Sequence, residues 1–263
     1  MSNLKVSLVQ TKQFWEDKKS NLAHLDKILK QIGETDLIIL PEMFNTSFSM
    51  NPANLAEEMA HSEALEWLKE TAAQKASAIY TSFMVKENNA FYNRAIFMLP
   101  SGVFYKYDKR QLFSLAGEDH VFSAGKEKVI VEYKGWKILL QVCYDLRFPE
   151  IQRNGLDSQM RPEYDLMLTV ANWPMSRSLH WKTLLTARAI ENQCYVIGVN
   201  RVGEDGKGLI YSGDSAVVDP LGNKTEVDSG KDLIISAVIS LEKLESVRKL
   251  IPFLKDIQDV INK

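Results

Sequence analysis

Four side chains able to take part in chemistry follow closely after short apolar runs that are typical of strands. They are Glu42, Lys109, Cys143 and Asn172. In layered α/β proteins, ligand sites form where strands end, because the loops there converge on one edge of the sheet. We therefore expect these four residues to lie together in the folded chain.

Three of these residues have the chemistry that covalent hydrolysis needs. A cysteine supplies the nucleophile, and a carboxylate beside it can take the thiol proton. A fixed ammonium can lower the pKa of the thiol and stabilise negative charge that develops on a substrate. Cys143, Glu42 and Lys109 therefore form a candidate catalytic set.

The apolar patterning predicts the elements that must position these residues. Alternating or short continuous apolar runs predict strands, and apolar residues at spacings of three and four predict helices. The predicted strands are 4–9, 37–40, 79–85, 91–98, 103–107, 129–133, 137–142, 164–170, 194–200, 214–219 and 233–239. The predicted helices are 22–32, 62–75, 150–154 and 178–191. Hairpins mixed with β-α-β units indicate an α/β protein with a mixed sheet and outer helices.

The chain is predicted to form a single domain over residues 1–263. It has no linker rich in proline, glycine or serine and no block of like charge. The tail from about 240 to 263 is amphipathic, and we expect it to pack on the domain or on a dimer partner. Its apolar residues are Phe253, Leu254, Ile257, Val260 and Ile261.

Charge and hydropathy exclude several classes of protein. The net charge is −2, and Lys106, Lys109 and Arg110 form a basic cluster too short to follow a nucleic acid backbone. No apolar stretch has the length that a membrane-spanning helix requires. The first ten residues lack the pattern of a signal peptide, so we expect a cytoplasmic protein with reduced thiols and no nucleic acid or membrane partner.

The cysteines and histidines do not indicate a metal or a disulfide framework. Cys194 lies inside an apolar run and is expected to be inert core, which is also the alternative for Cys143 when its context is ignored. The four histidines lack metal-ligand spacing; they are His24, His61, His120 and His180. His24 is expected on the surface. His120 is the one histidine expected near the site, and it is a candidate for the pocket wall.

The sequence motifs around the candidate residues resemble those of the nitrilase superfamily, the carbon–nitrogen hydrolases. The matching stretches occur in the same order, cover nearly the whole chain, and are 40–44, 107–113, 142–150, 171–174, 187–192 and 213–220. This resemblance implies a four-layer α-β-β-α sandwich. It also implies a homodimer formed by stacked helical layers and a reaction without a metal or an organic cofactor.

The resemblance assigns a role to each member of the candidate set. Glu42 is the general base, and Cys143 attacks the amide carbon to form a thioester. Lys109, with the backbone N–H of Tyr144, holds the oxyanion. A second glutamate of the family positions the lysine and the substrate, and Glu118 is expected in that role. Asp119 is the alternative if the loop shifts by one residue.

The remaining polar residues near Cys143 have structural interpretations. Asp145, Arg147 and Glu150 are expected to form an ion-pair network that holds the turn after the nucleophile. Trp173 and Trp181 are expected to be packing residues, with Trp173 also a candidate for the pocket wall.

The resemblance is greatest to the omega-amidase branch, in the 172–174 stretch and the short 115–121 loop. Such enzymes hydrolyse the terminal amide of 2-oxo acid amides such as 2-oxoglutaramate and 2-oxosuccinamate. The carboxylate at the far end of such a substrate requires a cation, and arginine suits its planar shape. Arg177 is the predicted partner. The other predicted substrate-binding residues are Phe113, Tyr144, Asn172 and Trp173.

Three alternatives remain open from the sequence. One is an amidase for deaminated glutathione or another amide or carbamoyl hydrolase of the superfamily. Another is a non-catalytic relative that serves as a binding or scaffolding module, although such a protein has no physical need for an intact Glu, Lys and Cys. The third is a cysteine–histidine hydrolase that uses His120 or His180.

Overall fold

The structure is a computed structural model, and it describes residues 3–225 and 229–256. The strands are β1 (Asn3–Gln10), β2 (Leu37–Ile39), β3 (Glu57–Glu58), β4 (Ala78–Glu87), β5 (Ala90–Met98), β6 (Phe104–Asp108), β7 (Ile130–Tyr133), β8 (Trp136–Val142), β9 (Leu166–Ala171), β10 (Tyr195–Asn200), β11 (Val202–Glu204), β12 (Ile210–Ser212), β13 (Ala216–Val218) and β14 (Leu233–Ser240). The α-helices are α1 (Lys18–Leu29), α2 (Pro52–Leu55), α3 (Glu63–Lys75), α4 (Glu118–Val121), α5 (Pro149–Gln152), α6 (Ser178–Asn192) and α7 (Leu241–Leu250).

The first sheet has the strand order β14-β1-β2-β4-β5-β6, with β3 paired beside β4. Both faces of this sheet are covered, so a strand such as β2 can be apolar at every position. Leu37 and Ile39 of β2 face the core between the sheets, whereas Ile38 faces the helices α1 and α3. A strand presents successive side chains to opposite faces, so these three residues pack into both the core between the sheets and the core beneath the helices.

The second sheet has the order β13-β10-β9-β8-β7, and α6 packs on its outer face. Gly198 of β10 makes this close packing possible. A Cβ at that position would lie 2.6 Å from Cδ1 of Leu185 and 2.8 Å from Cζ2 of Trp181. The helix therefore approaches the strand more closely than any larger residue would permit.

The two sheets lie face to face and share one apolar core. The Tyr80 hydroxyl of the first sheet donates to the Gln141 carbonyl of the second across 2.9 Å. With α1 and α3 on one outer side and α6 on the other, the layers are α-β-β-α. The four-layer sandwich expected from the sequence is confirmed.

Most predicted elements are observed, and the differences have local causes. The strand predicted over 214–219 spans only Ala216–Val218, since Asp214 adopts a φ of +59° that no strand residue takes. The helices α2 and α4 were not predicted because a single turn is too short to show a helical period.

The predicted amphipathic tail is present in part. It forms α7 and a 3-10 turn over Phe253–Asp256, and Leu254 is buried. Ile257, Val260 and Ile261 lie outside the described residues. Within 3–225 and 229–256, no helix is both long enough and apolar enough to cross a bilayer.

Candidate active site

The ends of four strands converge on one site between the two sheets. Glu42 follows β2, Lys109 follows β6, Cys143 follows β8 and Asn172 follows β9. All four side chains are buried. The structure therefore brings together the residues that the sequence singles out.

Lys109 is the centre of the charged part of this site. Its Nζ lies 3.1 Å from Oε1 of Glu42 and 2.8 Å from Oε2 of Glu118. Burial alone would lower the pKa of Lys109, but the charges of Glu118 and Glu42 outweigh that effect and raise it. The charged ammonium form of Lys109 is therefore favoured in this site.

Glu118 and its neighbour Asp119 occupy opposite environments. Glu118 is fully buried, and Oε2 accepts a hydrogen bond of 2.6 Å from the backbone N–H of Phe113. Asp119 is exposed and lies beside His120, whose side chain is 80% exposed. The interpretation of His120 as a pocket wall is therefore wrong, and the carboxylate at the site is that of Glu118.

The Glu42 carboxylate is held from several directions. Oε2 accepts a 2.8 Å hydrogen bond from the backbone N–H of Asn172, and Oε1 accepts one of 2.8 Å from Nδ2 of Asn93. The Asn172 side chain also donates to the Glu42 carbonyl. A base held in this way needs little reorganisation before it can accept a proton.

Cys143 lies at a sharp turn between β8 and a 3-10 turn over Cys143–Arg147. Its φ is +44°, in the left-handed region that side chains other than glycine rarely adopt. Strain of this kind is typical of functional positions because the surrounding structure must enforce it. Here the backbone N–H of Val142 donates to Asp145 Oδ2 at 2.9 Å and closes the turn.

The pKa of the Cys143 thiol is shifted upward by its surroundings. Burial is the main cause that raises its pKa well above the ordinary value, and the charge of Glu42 adds to it. Lys109 lowers the pKa but does not reverse the net effect. The sequence suggested activation by the ammonium. In the structure, burial and the charge of Glu42 outweigh the effect of Lys109, so the protonated form of this thiol is favoured.

The polar network behind the nucleophile is made of hydrogen bonds. Asp145 accepts from the Tyr107 hydroxyl, the Gln111 backbone N–H and the Val142 backbone N–H, each at 2.8–2.9 Å. Burial raises the pKa of Asp145 to about 6.

The ion-pair network expected among Asp145, Arg147 and Glu150 is therefore wrong. No ion pair joins these residues in the described part of the chain, and Glu150 is exposed. Arg147 instead turns toward the pocket, with its guanidinium carbon 4.5 Å from the ring centroid of Trp173.

A pocket opens from Cys143 to the surface. All five predicted substrate-binding residues line it; they are Phe113, Tyr144, Asn172, Trp173 and Arg177. It also contains residues that the sequence patterns missed, from the loop after Glu42 and from the β11–β12 hairpin. These are Phe48, Met50, Asp205, Lys207, Leu209 and Tyr211.

We refer to Glu42, Lys109, Glu118 and Cys143 as the pocket floor, and to Arg147, Arg177 and Lys207 as the pocket mouth. Neither Arg147 nor Arg177 has a carboxylate partner among the described residues. Burial lowers the pKa of Arg147, and the nearby charge of Arg177 lowers it further. Two like charges held close together favour an anion between them.

Some of the missed residues carried a recognisable signal. Arg147 follows Cys143 by four residues, at the other end of the short 3-10 turn that begins at the cysteine, so it could be expected near the site. Asn93 is a polar residue in the middle of β5, beside Arg94 in a strand that is otherwise apolar, and it is fully buried. The pocket residues of the β11–β12 hairpin could not be recognised from the sequence, because their position depends on how the hairpin packs against segments distant in the chain.

No metal site is visible at this position. In the residues that the structure describes, no group of three or more His, Cys, Asp or Glu side chains is placed to hold a metal ion. The arrangement can transfer a proton from a thiol to a carboxylate, stabilise an oxyanion beside an ammonium, and hold an anionic group at the mouth.

Comparison with known proteins gives a consistent result. The carbon–nitrogen hydrolase family profile matches residues 5–249. The chain is 44% identical to an omega-amidase, YafV, of Yersinia enterocolitica, over 97% of each chain. It is 35% identical to a 2-oxoglutaramate amidase of Bacillus subtilis, over 88% of each.

Solved structures agree with the sequence comparison. A carbon–nitrogen hydrolase superfamily protein of Xanthomonas campestris, with an arsenic adduct in its active site, matches with a TM-score of 0.94. The two chains are 41% identical over 97% of each. The resemblance to the nitrilase superfamily and its omega-amidase branch is confirmed.

Proposed function

Because the chain belongs to the carbon–nitrogen hydrolase family, we propose that it is an omega-amidase that hydrolyses the terminal carboxamide of 2-oxoglutaramate or 2-oxosuccinamate. The observation that carries this proposal is the combination of a buried, charge-paired pocket floor with two arginines at the pocket mouth that have no carboxylate partner among the described residues. The floor suits amide chemistry, and the mouth suits a substrate that carries a carboxylate. Relatives named omega-amidase and 2-oxoglutaramate amidase support this substrate class.

In the acylation step, the thiol proton passes to Glu42 as Sγ of Cys143 attacks the amide carbon. The carbonyl oxygen gains negative charge, which Lys109 and the backbone N–H of Tyr144 stabilise. Glu42 then gives its proton to the amide nitrogen. The carbon–nitrogen bond breaks, ammonia leaves, and a thioester joins the acyl group to Cys143.

In the deacylation step, Glu42 takes a proton from water, which attacks the thioester carbon. The oxyanion forms again beside Lys109 and collapses as the carbon–sulfur bond breaks. The proton on Glu42 returns to the sulfur of Cys143, so the site regains its resting form. One amide and one water have become one carboxylic acid and one ammonia.

The far end of the substrate is held at the mouth. A guanidinium binds a carboxylate through two parallel hydrogen bonds, and Arg177 and Arg147 both line the pocket. Arg177 lies over the ring of Phe113 at 5.3 Å, and Arg147 lies over Trp173. Stacking on these rings restricts both side chains before the substrate arrives.

The structure offers no support for a cysteine–histidine hydrolase. His120 and His180 are both exposed, and neither lines the pocket. His180 lies 3.3 Å from the guanidinium nitrogens of Arg147. A non-catalytic scaffold is also disfavoured, since it would have to keep a buried lysine between two carboxylates without using it.

We also propose that the enzyme is a cytoplasmic homodimer. Apolar side chains on its second helical layer support this assembly, since Leu179 and Ile190 of α6 are 72% and 43% exposed. Sedimentation velocity of the purified chain measures the oligomeric state. A monomer at all concentrations would contradict the dimer without affecting the proposed reaction.

The proposed reaction is tested by ammonia release from a panel of amides and nitriles. We expect 2-oxoglutaramate and 2-oxosuccinamate to have the highest kcat/KM. Propionamide, which has no carboxylate, serves as the matched control and is expected to react poorly. A preference for deaminated glutathione or for a nitrile would contradict the proposed substrate.

A further inference from the structure

Asn93 is a fully buried residue in the middle of β5, and its side chain donates to both carboxylates of the pocket floor. Its Nδ2 lies 2.8 Å from Oε1 of Glu42 and 3.2 Å from Oε1 of Glu118. Lys109 Nζ contacts the same two oxygens, at 3.1 and 2.9 Å. One amide nitrogen and one ammonium therefore bridge the same pair of carboxylates.

The charges of the floor explain why a second donor is needed. Two carboxylates face a single ammonium, and all three side chains are fully buried. Buried like charges favour the uptake of a proton by one of them. A proton on Glu42 would remove the base, so the site needs a neutral donor that stabilises both charges.

The orientation of the Asn93 amide follows from its neighbours. Carboxylate oxygens accept hydrogen bonds and cannot donate them, so the NH2 group must face Glu42 and Glu118. The opposite atom, Oδ1, is buried without a hydrogen-bond partner among the described residues. An unsatisfied buried acceptor is destabilising, and its presence indicates that the NH2 contacts are worth more to the protein.

The backbone of β5 holds Asn93 rigidly against the same group. The Asn93 carbonyl accepts from the Lys109 backbone N–H at 3.0 Å. Next to it, Arg94 pairs with Asp108 at 2.7 Å and also binds Glu87. The strand therefore positions the lysine through its backbone and the two carboxylates through one side chain.

We propose that Asn93 is a positioning residue that keeps Glu42 ionised and aimed at the Cys143 thiol by donating to both buried carboxylates. This inference rests on the proposed roles of Glu42 and Cys143, and it does not depend on which amide is the substrate. Asn93 acts through Glu42 and Glu118 and does not touch the reacting atoms.

The test replaces Asn93 in two ways and measures pH profiles. Asn93→Ala removes the donor. The isosteric Asn93→Asp puts a third carboxyl group in its place and is the variant that best preserves packing. The rate of Cys143 alkylation by iodoacetamide is followed from pH 5 to 9 by mass spectrometry, since it reports proton loss from the thiol without any substrate. The profile of kcat/KM for 2-oxoglutaramate is measured alongside.

For Asn93→Ala, Glu42 should retain its proton to higher pH. We expect the acidic limb of both profiles to move up by about one pH unit, because a hydrogen bond to a charged group contributes on that scale. At neutral pH, kcat should fall by roughly 10- to 100-fold while KM changes by less than about threefold.

For Asn93→Asp, the loss at neutral pH should be larger, at roughly 1,000-fold. It should shrink as the pH falls, since a protonated Asp at this position can donate to Glu42. Wild-type acidic limbs in both variants, with only a uniform loss of rate, would overturn the proposal.

A matched control separates positioning from folding. Asn154 is equally buried, and its Nδ2 donates to the carbonyls of Tyr164 and Asn192, away from the pocket. Asn154→Ala should lower the thermal unfolding temperature without moving either acidic limb. A limb that moves equally in Asn154→Ala and Asn93→Ala would also overturn the proposal. Normal alkylation profiles with no hydrolysis of 2-oxoglutaramate would instead contradict the proposed substrate.

Discussion

At the pocket floor the lysine and both carboxylates are paired, whereas at the pocket mouth the cations have no carboxylate partner among the described residues. Lys109 is enclosed by Glu42 and Glu118, and all three side chains are fully buried. Arg147 and Arg177 are half-buried and stack on aromatic rings.

This difference suggests that the pocket floor serves the reaction, whereas the pocket mouth serves the choice of substrate. The floor is organised before a substrate binds, so its charges need not move during the reaction. The mouth is left incomplete, and an anionic group completes it. Substitutions at the floor should therefore lower kcat, and substitutions at the mouth should raise KM.

The largest effect is expected from the nucleophile. Cys143→Ala should lower ammonia release from 2-oxoglutaramate by at least about 10,000-fold, since no other group can form the thioester. Cys194→Ala is the matched control, because that thiol is also buried but lies in the core away from the pocket. Substantial activity in Cys143→Ala would contradict the mechanism.

The next effect is expected from the base. Glu42→Gln keeps the shape of the side chain but removes its ability to take a proton, so kcat should fall by roughly 1,000-fold. KM for 2-oxoglutaramate should change little, which steady-state kinetics can measure. A rise in KM with an unchanged kcat would place Glu42 among the selecting residues.

Substitutions of Glu118 and Asp119 test which of these two carboxylates belongs to the pocket floor. Glu118→Gln should lower kcat by about 100-fold, because Lys109 loses one of its two charged partners. Asp119→Asn should leave kcat within about twofold, because its side chain is exposed. The reverse order would assign the second carboxylate to Asp119.

Smaller effects are expected from the arginines of the mouth. Arg177→Met and Arg147→Met should each raise KM for 2-oxoglutaramate by about tenfold or more, since a lost charged contact weakens binding by over 1 kcal/mol. Kinetics with propionamide should be nearly unchanged. An equal loss on both substrates would show that the arginines support the floor and do not select the carboxylate.

The smallest effect is expected from Lys207. This residue is exposed in the hairpin that covers the pocket, so water and salt screen its charge. Lys207→Ala should raise KM for 2-oxoglutaramate by about twofold at low ionic strength. At about 0.5 M salt, the variant and the wild type should have the same KM. A tenfold, salt-independent rise would place Lys207 in direct contact with the substrate.

The floor was largely predictable from the sequence, and the mouth was not. Glu42, Lys109 and Cys143 each follow a strand, and strand ends can be recognised from local apolar runs. Phe48 and Met50 lie in a loop with no periodic pattern, and the hairpin that carries Lys207 lies over the pocket through contacts with distant segments. Loops of this kind carry no local signal for what they pack against.

The residue types and their order along the chain were enough to predict the reaction class, a candidate nucleophile and base, and the four-layer fold. Only the tertiary structure decided that Glu118 enters the site while Asp119 does not, that Arg147 faces the pocket, and that burial raises the pKa of the cysteine. The physical reason is that burial and charge pairing depend on residues far apart in the chain. Glu42 lies 67 positions from Lys109 and 130 from Asn172, yet these contacts set its environment.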